Sequence, residues 1–117
     1  MNIPNGVTSI RKATFYNCSS LTSIVIPDAV TVIDSFAING CSSLHTVTLP
    51  EGLTSIGYAV FAFCESLDSI NIPSSVTFMD VGAFYGCVSL TTVVCGGFGL
   101  WLWWFSWCCT CWDLVKH

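Results

Sequence analysis

The cysteines of this chain recur at a fixed interval. Cys18, Cys41, Cys64 and Cys87 are each 23 residues apart, and Leu21, Leu44, Leu67 and Leu90 keep the same step. So do the pairs Ile3-Pro4, Ile26-Pro27, Leu49-Pro50 and Ile72-Pro73. Further columns hold Val7, Val30, Leu53 and Val76; Ile10, Ile33, Ile56 and Met79; and Phe15, Ile38, Phe61 and Phe84. Residues 3–94 therefore divide into units 3–25, 26–48, 49–71 and 72–94. One such unit cannot bury its apolar residues alone. Stacking sets each above its equivalent, and the columns fuse into a continuous core.

The second unit shows the local design. Ile24 and Ile26 alternate with Ser23 and Val25, so a short strand turns one face inward and one outward. Pro27 has no N–H to donate and ends the ladder there. Val30 to Ile33 predicts a second short extended piece. Ala37 to Cys41 is too short for a regular helix and predicts a turn or one 3₁₀ turn. Strands of successive coils would pair in parallel at about 4.8 Å, with right-handed crossovers.

The segments "CSSLTSIVIPDAVTVI", "CSSLHTVTLPEGLTSI" and "CESLDSINIPSSVTFM", with "AFYGC" at 83–87, resemble the BspA-type leucine-rich repeat family over residues 3–94. The fold expected is a repeat solenoid of the β-rich α/β class. It has four right-handed coils of 23 residues, with stacked short parallel strands and short turn or 3₁₀ segments. The resemblance implies a non-enzymatic protein-binding scaffold. Members are typically surface antigens and adhesins of mucosal bacteria and protist parasites, often with a membrane anchor after the repeats. A cell-surface or membrane-associated location is the corresponding expectation. The N-terminus "MNIPNGVTSI" has no charged stretch followed by an apolar one. The protein is then intracellular, or its true N-terminus lies upstream.

Composition narrows the function classes. The chain is 53% hydrophobic and 9% charged, with net charge −4. Arg11, Lys12 and Lys116 are its only basic Lys or Arg residues, too few for a phosphate-neutralising stripe, which argues against nucleic-acid binding. No P-loop, zinc-protease or dinucleotide-binding pattern is present, and no cofactor or metal site is expected. The outward strand positions form the candidate binding face: Thr22, Ser23, Val25, His45, Thr46, Thr48, Asp68, Ser69, Asn71, Thr91, Thr92 and Val94. A protein partner, from a host or a second copy of the chain, is the expected ligand. His45 and Asp68 share a column in adjacent coils and are placed to touch. A surface hydrogen bond or weak ion pair is the expected outcome, because no nucleophile with an orienting group accompanies them.

The cysteine column is expected to be reduced and structural, since in-register side chains stay about a strand spacing apart and free Cys is commonly buried. The serine column Ser20, Ser43, Ser66 and Ser89 is expected to satisfy buried turn amides, and the threonine column Thr8, Thr31, Thr54 and Thr77 to form a cross-coil ladder. Asn17-Cys18-Ser19 matches an N-glycosylation pattern, relevant only in a secretory pathway.

Residues 95–117 hold all five tryptophans and allow three readings. The uncharged run within 93–112 is at the short limit for a membrane span. The segment is also one unit long, with Leu102 and Trp107 in the Met79 and Phe84 columns, as in a degenerate fifth coil. A frame error at the end of the gene is the third. Self-association of a short solenoid with open ends, or a membrane-anchored remnant of a longer array, is the alternative to a recognition module.

Overall fold

The computed structural model describes residues 3–95. These residues form a β-solenoid of parallel strands, with no helix among them. The fifth-coil and membrane-span expectations for residues beyond Cys95 lie outside the described residues. Each coil has three walls, and each wall follows from a column pattern.

The first wall carries the L-x-x-I-x-I positions: β2 (Ser23–Val25), β4 (Thr46–Thr48), β6 (Ser69–Ile72) and β8 (Thr92–Cys95). Its strands pair at a 23-residue register, Ile24 with Val47 and Ile70 with Val93. The second wall carries the V-T-x-I positions: β1 (Ser9–Ile10), β3 (Val32–Ile33), β5 (Ser55–Ile56) and β7 (Phe78–Met79). This wall is continuous through all four strands, with Ile10, Ile33, Ile56 and Met79 in one inward column.

Two of the conserved spacings within the repeat are turn closures. The Pro and Val columns sit three apart because the Val or Leu N–H donates to the Pro carbonyl: Val7 to Pro4, Val30 to Pro27, Leu53 to Pro50 and Val76 to Pro73, at 3.1–3.2 Å. Proline suits this corner, because it has no N–H to leave unpaired. The Cys and Leu columns are closed in the same way, with Leu21, Leu44, Leu67 and Leu90 each donating to the carbonyl of the cysteine three residues before at 3.1 Å.

The third wall is a stack of turns rather than a 3₁₀ helix. Alternate residues donate to the next coil: Phe15 to Ala37, Asn17 to Asn39, Ile38 to Val60, Gly40 to Ala62, Phe61 to Ala83 and Phe63 to Tyr85. Two residues per coil take left-handed backbone to hold this shape. They are Ala13 and Asn17, then Phe36 and Gly40, Ala59 and Phe63, Gly82 and Gly86. Five of the eight are not glycine, and each carries a steric cost of roughly 1–2 kcal/mol that cross-coil bonding offsets. Asn17 and Phe63 fit because glycine follows them one coil on. A Cβ at Gly40 would strike the Asn17 side chain, and one at Gly86 would lie 2.6 Å from Phe63 Cδ1.

The core runs up the middle of the walls. Val30, Leu53 and Val76; Leu44, Leu67 and Leu90; and Ile38, Phe61 and Phe84 are all fully buried. Phe61 and Phe84 stack with ring centroids 5.6 Å apart and planes 6° from parallel. Burying one such ring contributes about 1.5–3 kcal/mol. The first coil is less enclosed: Val7, Phe15, Cys18 and Leu21 are half-buried.

Candidate functional site

The alternation in the first wall sorts its side chains. Ile24 points into the core from β2 while Ser23 and Val25 face out; Val47 points in from β4 while Thr46 and Thr48 face out. All twelve strand-face residues named from the sequence are exposed: Thr22, Ser23, Val25, His45, Thr46, Thr48, Asp68, Ser69, Asn71, Thr91, Thr92 and Val94. The face is rich in hydroxyl groups and carries little charge. Val25 and Val94 add apolar area at its two ends. Such a surface offers many neutral hydrogen-bonding groups and no concentrated field.

The wall is not continuous. β2 pairs with β4 and β6 with β8, but β4 and β6 are not hydrogen-bonded to each other. On either side of this break the ladder is intact. His45 N–H donates to the Thr22 carbonyl, Ile26 N–H to the Thr48 carbonyl and Thr91 N–H to the Asp68 carbonyl. The equivalent bonds across the break, Asp68 N–H to His45 and Leu49 N–H to Asn71, are not formed. A groove of about 380 Å³ opens there, lined by Val47, Thr48, Leu49, Glu51, Asn71, Ile72, Pro73 and Ser74. The break also separates the column neighbours His45 and Asp68. Contrary to the sequence expectation, no ion pair or hydrogen bond joins their side chains; the Asp68 carbonyl accepts instead from the Thr91 N–H at 3.0 Å and the Thr91 hydroxyl at 3.2 Å. Of the groove residues, Thr48 and Asn71 were legible as outward strand positions. Leu49, Glu51, Ile72, Pro73 and Ser74 were not, because nothing in the columns marks a lost backbone pairing.

The cysteine column has a structural task. Cys41 Sγ donates to the Phe15 carbonyl at 3.2 Å, Cys64 to Ile38 at 3.2 Å and Cys87 to Phe61 at 3.0 Å. Each thiol thus ties its coil to the one before, and Cys18, Cys41, Cys64 and Cys87 are free. Burial pushes the Cys41 thiol up to about 11 and the Cys87 thiol up to about 12; Cys64 is raised also, first by burial and then by its cysteine neighbours. Such thiols stay protonated at neutral pH and are poor nucleophiles and metal ligands. No group of three or more His, Cys, Asp or Glu among the described residues is arranged to hold a metal ion.

The hydroxyl columns differ from each other. Thr54 Oγ1 donates to the Thr31 carbonyl at 3.0 Å and Thr77 Oγ1 to the Thr54 carbonyl at 3.4 Å, a cross-coil ladder as expected. The serine column does not serve buried amides. Ser20 and Ser89 are exposed, and Ser66 Oγ donates to the Ser42 carbonyl at 2.7 Å. Asn17 of the glycosylation pattern is exposed, while Cys18 beside it is half-buried.

Comparison with known proteins agrees with this architecture. The family profile described as BspA type leucine rich repeat region (6 copies) matches residues 1–97. Among solved structures, a leucine-rich repeat protein from Bacteroides ovatus is 40% identical with a TM-score of 0.75, over 79% of this chain and 24% of that one. One from Bacteroides capillosus is 36% identical with a TM-score of 0.71, over 78% of this chain and 64% of that one. A leucine rich cell surface protein from Faecalibacterium prausnitzii is 30% identical with a TM-score of 0.65, over 78% of this chain and 30% of that one. The chain thus spans less than two thirds of the length of each of these relatives. The search of curated proteins finds no match. With the repeat columns, the paired walls and the profile in accord, the chain belongs to the BspA-type leucine-rich repeat family.

Proposed function

We propose that the chain is a non-enzymatic recognition module that binds a protein partner through the outward face of its first wall. The observation that carries this reading is the exposure of all twelve strand-face side chains on a rigid stack, next to a core that fixes their spacing. Short strands of a solenoid present side chains at the strand repeat, and the partner is recognised by many modest contacts rather than one deep pocket. The similar protein from Faecalibacterium prausnitzii is described as a cell surface protein, which supports a surface setting for this chain. Catalysis finds no support in the arrangement, since His45 and Asp68 do not engage each other.

Surface plasmon resonance against a panel of purified extracellular-matrix proteins tests the proposal. Saturable binding should weaken about tenfold or more in a Ser23→Lys, His45→Glu, Asp68→Lys variant and persist in Tyr16→Ser on the turn wall. Binding indifferent to the triple change, or absent from the whole panel, would overturn it.

A second reading has its own observation. At the first coil, half-buried Val7 and Phe15 help line a groove of about 400 Å³. A second copy of the chain stacking there would make the protein a self-associating structural element. Sedimentation across a concentration range separates the readings: a monodisperse monomer argues for the recognition module alone.

A further inference from the structure

The break between β4 and β6 leaves main-chain groups without partners at the surface. Leu49 N–H and Asp68 N–H have no hydrogen-bond partner among the described residues; the 23-residue register would give them the carbonyls of Asn71 and His45 as acceptors. Main-chain polar groups are nearly always paired, with protein, water or ligand. The second wall remains hydrogen-bonded through β3, β5 and β7 at the same height, so the break is confined to one side of the coil.

The width of the break decides what can enter. An inserted strand needs about 4.8 Å on each side, which would lay the inward side chains of β4 and β6 open to solvent. They are not open: Val47 is 9% exposed, Leu49 8%, Ile70 4% and Ile72 0%, against 1% for Ile24 in the intact part. The break is a slit over a closed core. A group that enters it must be narrow, and it must both donate to a carbonyl and accept from an N–H. A hydroxyl does both with one atom.

The rim fits the same chemistry. Thr48, Asn71 and Ser74 supply neutral polar groups at the rim, over a floor formed by the buried Leu49, Ile72 and Pro73. Glu51 is the only charged side chain in the lining, and no cation is present to hold an anion. The groove, at about 380 Å³, lies near the lower end of the range of about 300–1,000 Å³ for small-ligand sites. We propose that the slit between β4 and β6 is a binding site for a neutral saccharide, whose hydroxyls bridge the unpaired Leu49 N–H and Asn71 carbonyl. The site lies within the strand face, between its two middle strands, but does not depend on that face binding a protein.

Amide hydrogen exchange read by NMR on the full chain tests this. In the free protein, the Leu49 and Asp68 amides should exchange about tenfold or more faster than those of Ile26 and Thr91. Lactose, maltotriose and chitotriose, each at millimolar concentration, are the probes. At least one should slow Leu49 exchange, and a Thr48→Val, Ser74→Ala variant should weaken that effect about tenfold while Ile26 stays protected. An acetylated and amidated Val-Thr-Val-Thr peptide is the strand control. Three results would overturn the proposal: a Leu49 amide already as protected as that of Ile26, no slowing by any of the sugars, or slowing by the peptide alone. None of these bears on the matrix-protein binding of the triple variant, so the two proposals fail separately.

Discussion

The first and second walls are built from the same 23-residue repeat, yet they behave differently where the second coil meets the third. The V-T-x-I wall pairs β1, β3, β5 and β7 without interruption, while the L-x-x-I-x-I wall splits into β2–β4 and β6–β8. The inward columns are equally apolar on both sides. What differs at this junction is that the second wall and the turn stack are tied by more than strand pairing. Thr54 and Thr77 add hydroxyl bonds to the continuous wall, and Cys41, Cys64 and Cys87 add thiol bonds behind the turns. On the first wall, no side-chain bond spans β4 and β6. A solenoid can therefore give up main-chain pairing on one wall while the other two keep the coils in register.

The sharpest way to break this contrast is a matched pair within one coil. Leu53 is fully buried behind the continuous wall, and Leu49 lies beside the slit. Leu53→Ala should cost about 3–5 kcal/mol, and Leu49→Ala about 2–3, in urea-unfolding free energy. Equal losses would show that the slit does not ease local collapse. In the turn wall, Gly86→Ala combines left-handed backbone with a clash against Phe63, whereas Gly82→Ala meets only the backbone term. Gly86→Ala should lower stability by about 2–4 kcal/mol and Gly82→Ala by about 1–2, read as shifts of thermal midpoint.

The thiol ties predict an alkaline limit. The folded thiols of Cys41 and Cys87 are raised from the ordinary value of 9.0 to about 11 and about 12. Above pH 9 the unfolded chain loses these protons first, so it binds fewer protons than the folded chain and stability falls as pH rises. The contribution is complete below pH 9 and is lost on the way to the folded values, at about 1.4 kcal/mol per pH unit for each thiol. Cys87→Ala should make the stability profile between pH 9 and pH 11 less steep, even though it lowers stability at pH 7. The smallest effect concerns the hydroxyl ladder. Thr54→Val removes an exposed bond on the continuous wall and should cost about 0.5 kcal/mol. Thr48→Val, with no such bond, should be within error of zero in the same urea titration.

Much of the coil was visible in the sequence. Pro-x-x-Val and Cys-x-x-Leu are the two turn closures, and alternation around Ile24, Val47 and Ile70 sorted the exposed face correctly. Two features were hidden for physical reasons. The slit is a loss of main-chain pairing, and main-chain atoms are the same in every coil. Left-handed backbone falls on glycine at Gly40, Gly82 and Gly86, but Ala13, Phe36, Ala59 and Phe63 adopt it because neighbouring coils impose it, against their own preference. The His45–Asp68 contact was misjudged for the first of these reasons: column neighbours meet only where their strands pair.

The glycines of the turn wall bear on how such an array can lengthen. Down the column that holds Asn17, Gly40, Phe63 and Gly86, a bulky residue alternates with glycine, and each bulky side chain occupies the space its glycine leaves. A duplication of the coil bearing Phe63 by itself would set one left-handed phenylalanine against another. Duplicating it together with the coil bearing Gly86 keeps the alternation. Recombination within the gene would then meet less resistance when it copies coils in pairs, and the unit of inheritance would be twice the unit of folding.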